Sequence, residues 1–191
     1  MIRETIVSSV DAAGAVHVAP IGIHVRGEWI IVAPFRPSTT LNNVLVRGCA
    51  VVNYCDDVRL FAGCVTGRSL WPTLPATMVQ GVRLEGALAH AEVKLERVED
   101  DELRPQLYCR VVHEENHAPF RGFNRAQAAV VEAAILVSRL DRLAKEKIDA
   151  ELEYLAIALE KTAGPVEREA WGWLLERIAK YRPRDLGEQP A

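Results

Sequence analysis

The chain has 191 residues, enough for one well-cored domain, or one domain with a helical appendage, and too few for two full-sized domains. Hydrophobic residues make up 49%, charged residues 26%, and the formal net charge is −3, a balance that argues against nucleic-acid binding by phosphate neutralisation. No stretch approaches the roughly 18 apolar residues of a membrane span, and Met1-Ile2-Arg3-Glu4-Thr5 has no long apolar run or small-residue cleavage pattern, so a cytoplasmic protein without a membrane partner is expected.

The first half reads as β. Thr5 to Val10 is rich in β-branched residues, and Asp11-Ala12-Ala13-Gly14 then supplies a turn before Val16-His17-Val18, which predicts a hairpin. After Ala19-Pro20 the apolar positions become Ile21, Ile23 and Val25, so the alternation slips by one residue and a bulge is expected at Ala19-Pro20. Proline cannot donate to a ladder, and backbone groups beside such a bulge would be free to meet something other than a strand. Arg26-Gly27 predicts a second turn and Trp29 to Phe35 a third strand, stopped by Pro34 and Pro37.

From Ser38 the period changes. Leu41, Val44 and Leu45 recur at helical spacing, with Gly48 placed just beyond the helix end. Cys49 to Tyr54 reads as a buried strand, Gly67 to Gln80 as a loop, and the runs Val82 to Val98 and Leu103 to Glu114 as strands pairing antiparallel across the acidic turn Glu99-Asp100-Asp101-Glu102. The last third is helical: Arg125 to Arg142, then a helix with Ile148, Leu152, Leu155 and Leu159 as its apolar stripe, then one opened by Pro165 with Trp171, Leu174, Leu175 and Ile178 on one face. The polar tail after Tyr181, with two prolines, is expected to fray.

Helix N-termini bind anions, because the first N–H groups lack partners and the helix dipole adds partial positive charge. Ser38, Thr39 and Thr40 put three hydroxyls at such a terminus, Arg36 lies two residues ahead of them, and Asn42 and Asn43 can add amide donors. The set suits a phosphate monoester, although Ser and Thr also cap ordinary helices. No glycine-rich phosphate loop occurs, which argues against nucleoside triphosphates and a Rossmann domain.

Ala19-Pro20-Ile21-Gly22-Ile23, followed by Ala33-Pro34-Phe35-Arg36-Pro37-Ser38-Thr39-Thr40-Leu41-Asn42-Asn43, resembles the FMN-binding split barrels of the flavin-reductase-like and pyridoxamine-phosphate-oxidase-like superfamily. Val51-Val52-Asn53-Tyr54 with Asp56-Asp57, and Arg121-Gly122-Phe123-Asn124-Arg125-Ala126 with Glu132, are similar to motifs of an uncharacterised flavoprotein family from methane-producing archaea and one-carbon-metabolising bacteria. The resemblance implies an α+β fold, an antiparallel split β-barrel over residues 1–120 with a C-terminal helical subdomain over 121–191. It implies FMN as cofactor, with Pro20, Ile21, Gly22 and Ile23 against the isoalloxazine ring. Arg36, Ser38, Thr39, Thr40 and Asn43 would meet the phosphate, and Asn53 the ribityl chain or ring. It also implies a homodimer with FMN near the subunit interface.

Other residues read more plainly. Asn124 and Arg125 are substrate-pocket candidates at a helix start, while Arg125, Glu132 and Arg139, spaced by seven, suit a salt-bridged stripe. His17 and His24 alternate away from the local apolar face and are expected to be exposed. His113 and His117 flank Glu114-Glu115, but two histidines four apart converge only on a helix, and this stretch reads as strand end and loop, so no metal is expected. The spacing of Cys49, Cys55, Cys64 and Cys109 matches no common zinc pattern, and reduced structural thiols are expected. No catalytic triad or paired carboxylates stand out. In flavoenzymes the cofactor carries the electron chemistry, so the expected function is an FMN-dependent oxidoreductase acting on a small molecule or electron donor. The alternatives are a non-catalytic FMN binder serving as electron carrier, store or sensor, and an interaction module that has lost FMN.

Overall fold

The β-branched start of the chain forms β1 (Ile2–Val10), which returns through Asp11–Gly14 as β2 (Val16–Arg26). Gly14 takes φ 93°, a left-handed value that any side chain would strain, and the Asp11 carboxylate accepts the N–H groups of Ala13 and Ala15 at 2.9 and 2.8 Å. This is a computed structural model, and it describes residues 1–181. The tail expected to fray lies outside the described residues.

The β1–β2 register runs without a break from Ile2↔His24 to Val10↔Val16. The bulge expected at Ala19-Pro20 is therefore absent. The parity slip has another cause: most of β2 is half-buried on both faces, with Ile23 alone fully buried, so neither face is uniformly apolar. Pro20 is accommodated because β2 pairs with β3 (Trp29–Val32) only at residues 24–26, and a proline sits without penalty where its ring faces an edge that no strand occupies.

After β3 come helix α1 (Thr39–Arg47) and β4 (Cys49–Tyr54). Ser38 caps α1, its Oγ accepting the Leu41 N–H at 3.2 Å, and Gly48 at φ 68° closes the helix by donating to the Val44 carbonyl at 2.8 Å. The long pair is β7 (Ala89–Glu99) and β8 (Gln106–Asn116), antiparallel with bulges at Glu92/Val93 and Leu95/Arg97. Six strands close into an antiparallel barrel in the order β1-β2-β3-β8-β7-β4. Its interior holds Val7, Ile23, Val52, Ala91, Val93 and Leu107, and Leu41 and Val44 of α1 join the same core.

The outer face of β1, β4 and β7 is also buried. Here β5 (Thr73–Pro75) and β6 (Val82–Leu84) form a small antiparallel ribbon in a stretch expected to be loop up to Gln80. Its strands are three residues each, too short to show a period. The Ser8 hydroxyl donates to the Val82 carbonyl at 2.5 Å, and Asn53 Oδ1 accepts the Leu84 N–H at 2.8 Å.

The chain divides into two compact units, Met1–Asp56 with Ser69–Phe120, and Asp57–Arg68 with the chain from Arg121 onward. The second unit contains α2 (Arg59–Val65), α3 (Arg125–Val137), α4 (Lys145–Thr162) and α5 (Pro165–Tyr181). Helix α2 had no counterpart among the expected elements, since it is seven residues long and apolar nearly throughout. Helix α3 stops at Val137 rather than Arg142, where the Ser138 hydroxyl donates back to the Ile135 carbonyl at 2.7 Å and the chain turns. Ile148 and Leu159 of α4, and Leu174 and Ile178 of α5, are buried, while Leu175 is exposed.

Candidate functional site: an open strand edge and a capped helix start

In an antiparallel ladder, alternate residues turn their backbone groups toward the partner strand. The Val25 N–H donates to the Met1 carbonyl at 2.9 Å, so odd-numbered residues of β2 face β1 and even-numbered ones face away. Pro20 and Gly22 thus direct backbone groups to the side of β2 that has no partner strand among the described residues. Pro20 offers a carbonyl there, and Gly22 an N–H and a carbonyl. Ile21 faces β1, where its carbonyl accepts the Thr5 hydroxyl at 2.8 Å, and the Ile23 side chain is in the barrel core. Of these four expected ring contacts, Pro20 and Gly22 are the two whose backbone the register aims outward.

The helix start sorts in the same way. Arg36 is exposed and pairs with Asp100 at 2.7 Å; a pair this open to solvent is worth about 0–1 kcal/mol, so a phosphate can compete for the guanidinium. Ser38 is half-buried, while Thr39 and Asn42 are exposed. The N–H groups of Thr39 and Thr40 stand ahead of the first helical hydrogen bonds. The side chains of Thr40 and Asn43 are buried, with Asn43 donating to Ser9 Oγ at 3.1 Å. The expectation that the Asn43 side chain reaches the phosphate is corrected, since it ties α1 to β1; Thr40 is buried, and its N–H stands at the helix start.

Asn53 is corrected too. It has no exposure, and its amide donates to the Ile6 carbonyl, Ser8 Oγ and the Val51 carbonyl at 3.0, 3.0 and 3.3 Å while accepting from Leu84. Every polar atom of the side chain is used inside the barrel unit, leaving none for a ligand.

In the helical unit Asn124 is the N-cap of α3. Its Oδ1 accepts the Ala126 N–H at 2.7 Å, and its Nδ2 donates to the Thr162 carbonyl at 3.1 Å, so both polar atoms of this pocket candidate have a structural use. Arg125, Glu132 and Arg139 are exposed, and no ion pair joins them among the described residues. His17 and His24 are half-buried rather than exposed, and burial lowers the pKa of both.

Three features escaped sequence reasoning. At the barrel end where β1 begins and β8 finishes lie two open cavities of about 360 and 480 Å³, which share Arg3, Tyr54, Ala89 and Asn116. Burial raises the Tyr54 phenol. On the outer face of β7 and β8, His90, Glu92, His113, Glu115 and His117 come together. The third is the loop over that face: the Thr77, Met78 and Val79 N–H groups donate to the Glu92 carboxylate at 2.6, 2.6 and 2.9 Å. Burial works to raise the Glu92 carboxyl, but those amides and His90 outweigh it and hold it below the usual carboxylate range. None of this has a local signal, because these side chains and the loop come together only when distant strands pair.

The family described as "protein of unknown function (DUF447) N-terminal domain" matches residues 3–118, and its companion, "protein of unknown function (DUF447)", matches residues 124–176. No protein of curated function matches the sequence. Among solved structures, an FMN-bound protein of the same family from Methanosarcina mazei is 22% identical with a TM-score of 0.80, covering 92% of this chain and 94% of that one. A 2-nitrobenzoate 2-nitroreductase from Pseudomonas fluorescens is 23% identical with a TM-score of 0.54, over 60% of this chain and 64% of that one. A flavoredoxin from Methanosarcina acetivorans is 11% identical with a TM-score of 0.52, over 61% and 69%. At these identities the likeness is one of fold, an antiparallel split β-barrel. No helix among the described residues is long and apolar enough to cross a membrane.

Proposed function

The chain belongs to the DUF447 family, and we propose from that premise that it is an FMN-binding flavoprotein working as an oxidoreductase on a small molecule. The observation that carries the reading is the placement, in one unit, of the Pro20–Gly22 edge of β2, which no strand covers among the described residues, and a capped helix start preceded by Arg36. The FMN reported in the solved Methanosarcina mazei relative supports it.

The residues fit such a ligand. The polar rim of an isoalloxazine needs both donors and acceptors, and the Pro20 carbonyl with the Gly22 N–H and carbonyl supplies both kinds in one row. A phosphate monoester needs positive charge and N–H groups: Arg36 brings the first, the Thr39 and Thr40 amides the second, and the Ser38 and Thr39 hydroxyls add donors. Bound FMN would supply the hydride or electron chemistry, and the chain's part is to hold the ring edge and exclude water. We take the protein to act as a homodimer with FMN near the subunit boundary. A non-catalytic carrier is the second reading, favoured by the fold likeness to a flavoredoxin.

Anaerobic mixing of FMN-loaded protein with NADH, NADPH or a reduced deazaflavin separates the two. Repeated, substrate-dependent flavin reduction and reoxidation supports the oxidoreductase. Failure with all three donors, with dithionite reduction intact, leaves the carrier. A colourless protein that takes up no FMN overturns both.

A further inference from the structure

The outer face of the β7–β8 hairpin carries more ionisable chemistry than a support surface needs. His90 lies opposite Glu115 and Glu92 opposite His113 in the ladder. Alternation explains the concentration: residues 113 and 115 share one side of β8, as do 90 and 92 on β7, pairing stacks the two rows, and His117 lies just past the end of β8. We propose that His90, His113 and Glu115 form a binding site for a divalent transition-metal cation of the zinc class. The site is separate from the flavin reading and does not depend on it.

Four observations point there. One ligand atom from each of His90, His113 and Glu115 lies within 4.8 Å of the others. A tetrahedral ion with bonds of roughly 2.0–2.1 Å holds its ligand atoms about 3.3 Å apart, so the three must close in by about 1.5 Å at most; His113 and Glu115, with side chains 29% and 52% exposed, have room to do so. Second, Nε2 of His113 is buried and has no hydrogen-bond partner; Glu115 Oε2 is near it at 3.8 Å, beyond hydrogen-bond range. A buried imidazole nitrogen left without a partner is costly unless something occupies it.

Third, His90 is oriented the way metal-binding histidines are, by a carboxylate behind the ring. Glu92 Oε1 is 3.2 Å from His90 Nε2, and Glu92 is itself fixed by the three loop amides. His90 Nδ1, the nitrogen left for the ion, is 2.8 Å from His117 Nε2, a contact that the ion replaces and that leaves a further imidazole beside it. Fourth, the charge is right: Arg83 lies near His117, but two carboxylates, Glu92 and Glu115, outweigh its guanidinium. Two imidazoles and one carboxylate suit Zn²⁺, Co²⁺ or Fe²⁺ and discriminate against Ca²⁺ and Mg²⁺, which prefer oxygen sets. With three protein ligands the ion keeps a position open to water on the exposed side.

The test is to titrate Co²⁺ into the full-length, tag-free protein and follow its visible ligand-field bands, then displace it with Zn²⁺. The expected result is one saturable Co²⁺ per chain, with bands showing nitrogen and oxygen ligation, released stoichiometrically by Zn²⁺. His113→Ala and Glu115→Gln, both at partly exposed positions, should each weaken binding at least about tenfold, the lower end of what disturbing a metal's surroundings costs, and leave the melting temperature without metal unchanged. Absence of the bands, binding that survives both substitutions, or a cobalt–thiolate charge-transfer band would overturn the site, the last by assigning the ion to the cysteines.

Discussion

Asn53 Oδ1 accepts the N–H of Leu84 at 2.8 Å from a position with no solvent exposure, and through it the β5–β6 ribbon is bonded to β4 of the barrel. Breaking that contact removes an acceptor for one buried N–H and donors for the Ile6 carbonyl and Ser8 Oγ together. Asn53→Ala should therefore lower unfolding stability by about 2–4 kcal/mol, the cost of stranding several buried polar groups. Flavin affinity of the folded fraction should be unchanged, as denaturant titration and flavin binding at low temperature will show. A selective loss of flavin binding without destabilisation would return Asn53 to the ligand site.

Ser38, the cap of α1, and Asn43, in its second turn, act differently. Ser38→Ala should cost about 1 kcal/mol for the lost cap and also weaken FMN binding, leaving riboflavin binding as it was. Asn43→Ala should cost about 1 kcal/mol through the lost bond to Ser9 and leave the preference between the two flavins intact. Paired calorimetric titrations of the two variants check the contrast.

In the helical unit, Asn124 ties the start of α3 to the end of α4. Asn124→Ala should lower stability by about 1–2 kcal/mol with turnover per folded molecule unchanged. A drop in turnover at full folding would restore its role in a substrate pocket.

Cys109 is buried in the barrel core, and burial pushes its thiol up to about 12. At about pH 8 roughly one molecule in ten thousand carries the thiolate, the form that reacts. Native-state alkylation should leave Cys109 unlabelled while half-buried Cys55 and Cys64 react first, with mass spectrometry after a timed quench as the readout.

Much of this fold is legible in the sequence because its signals are local. The α1 cap at Ser38 and its stop at Gly48, the Asp11–Gly14 turn and the β7–β8 pair each follow from a few neighbouring residues. What was not legible depends on partners distant in the chain. Pro20 suggested a bulge, yet its tolerance comes from β3 being too short to cover β2. Asn53 resembled a ligand contact until Leu84 filled its acceptor. His113 and His117 lacked a helix to bring them together, and convergence came instead from His90 across the ladder. Thr40 and Asn43 share the helix start with Thr39 and Asn42, but only the direction of burial separates the two pairs.

In the proposed function, the Pro20–Gly22 edge of β2 and the start of α1 hold a flavin by its ring and its phosphate together. Titrating the apoprotein with FMN and, separately, with riboflavin, following flavin fluorescence, tests it most directly. One FMN per chain is expected, with riboflavin weaker by at least about tenfold, since charge-assisted phosphate contacts are stronger than neutral ones. Equal affinity for the two flavins, or no quenching by either, would contradict it.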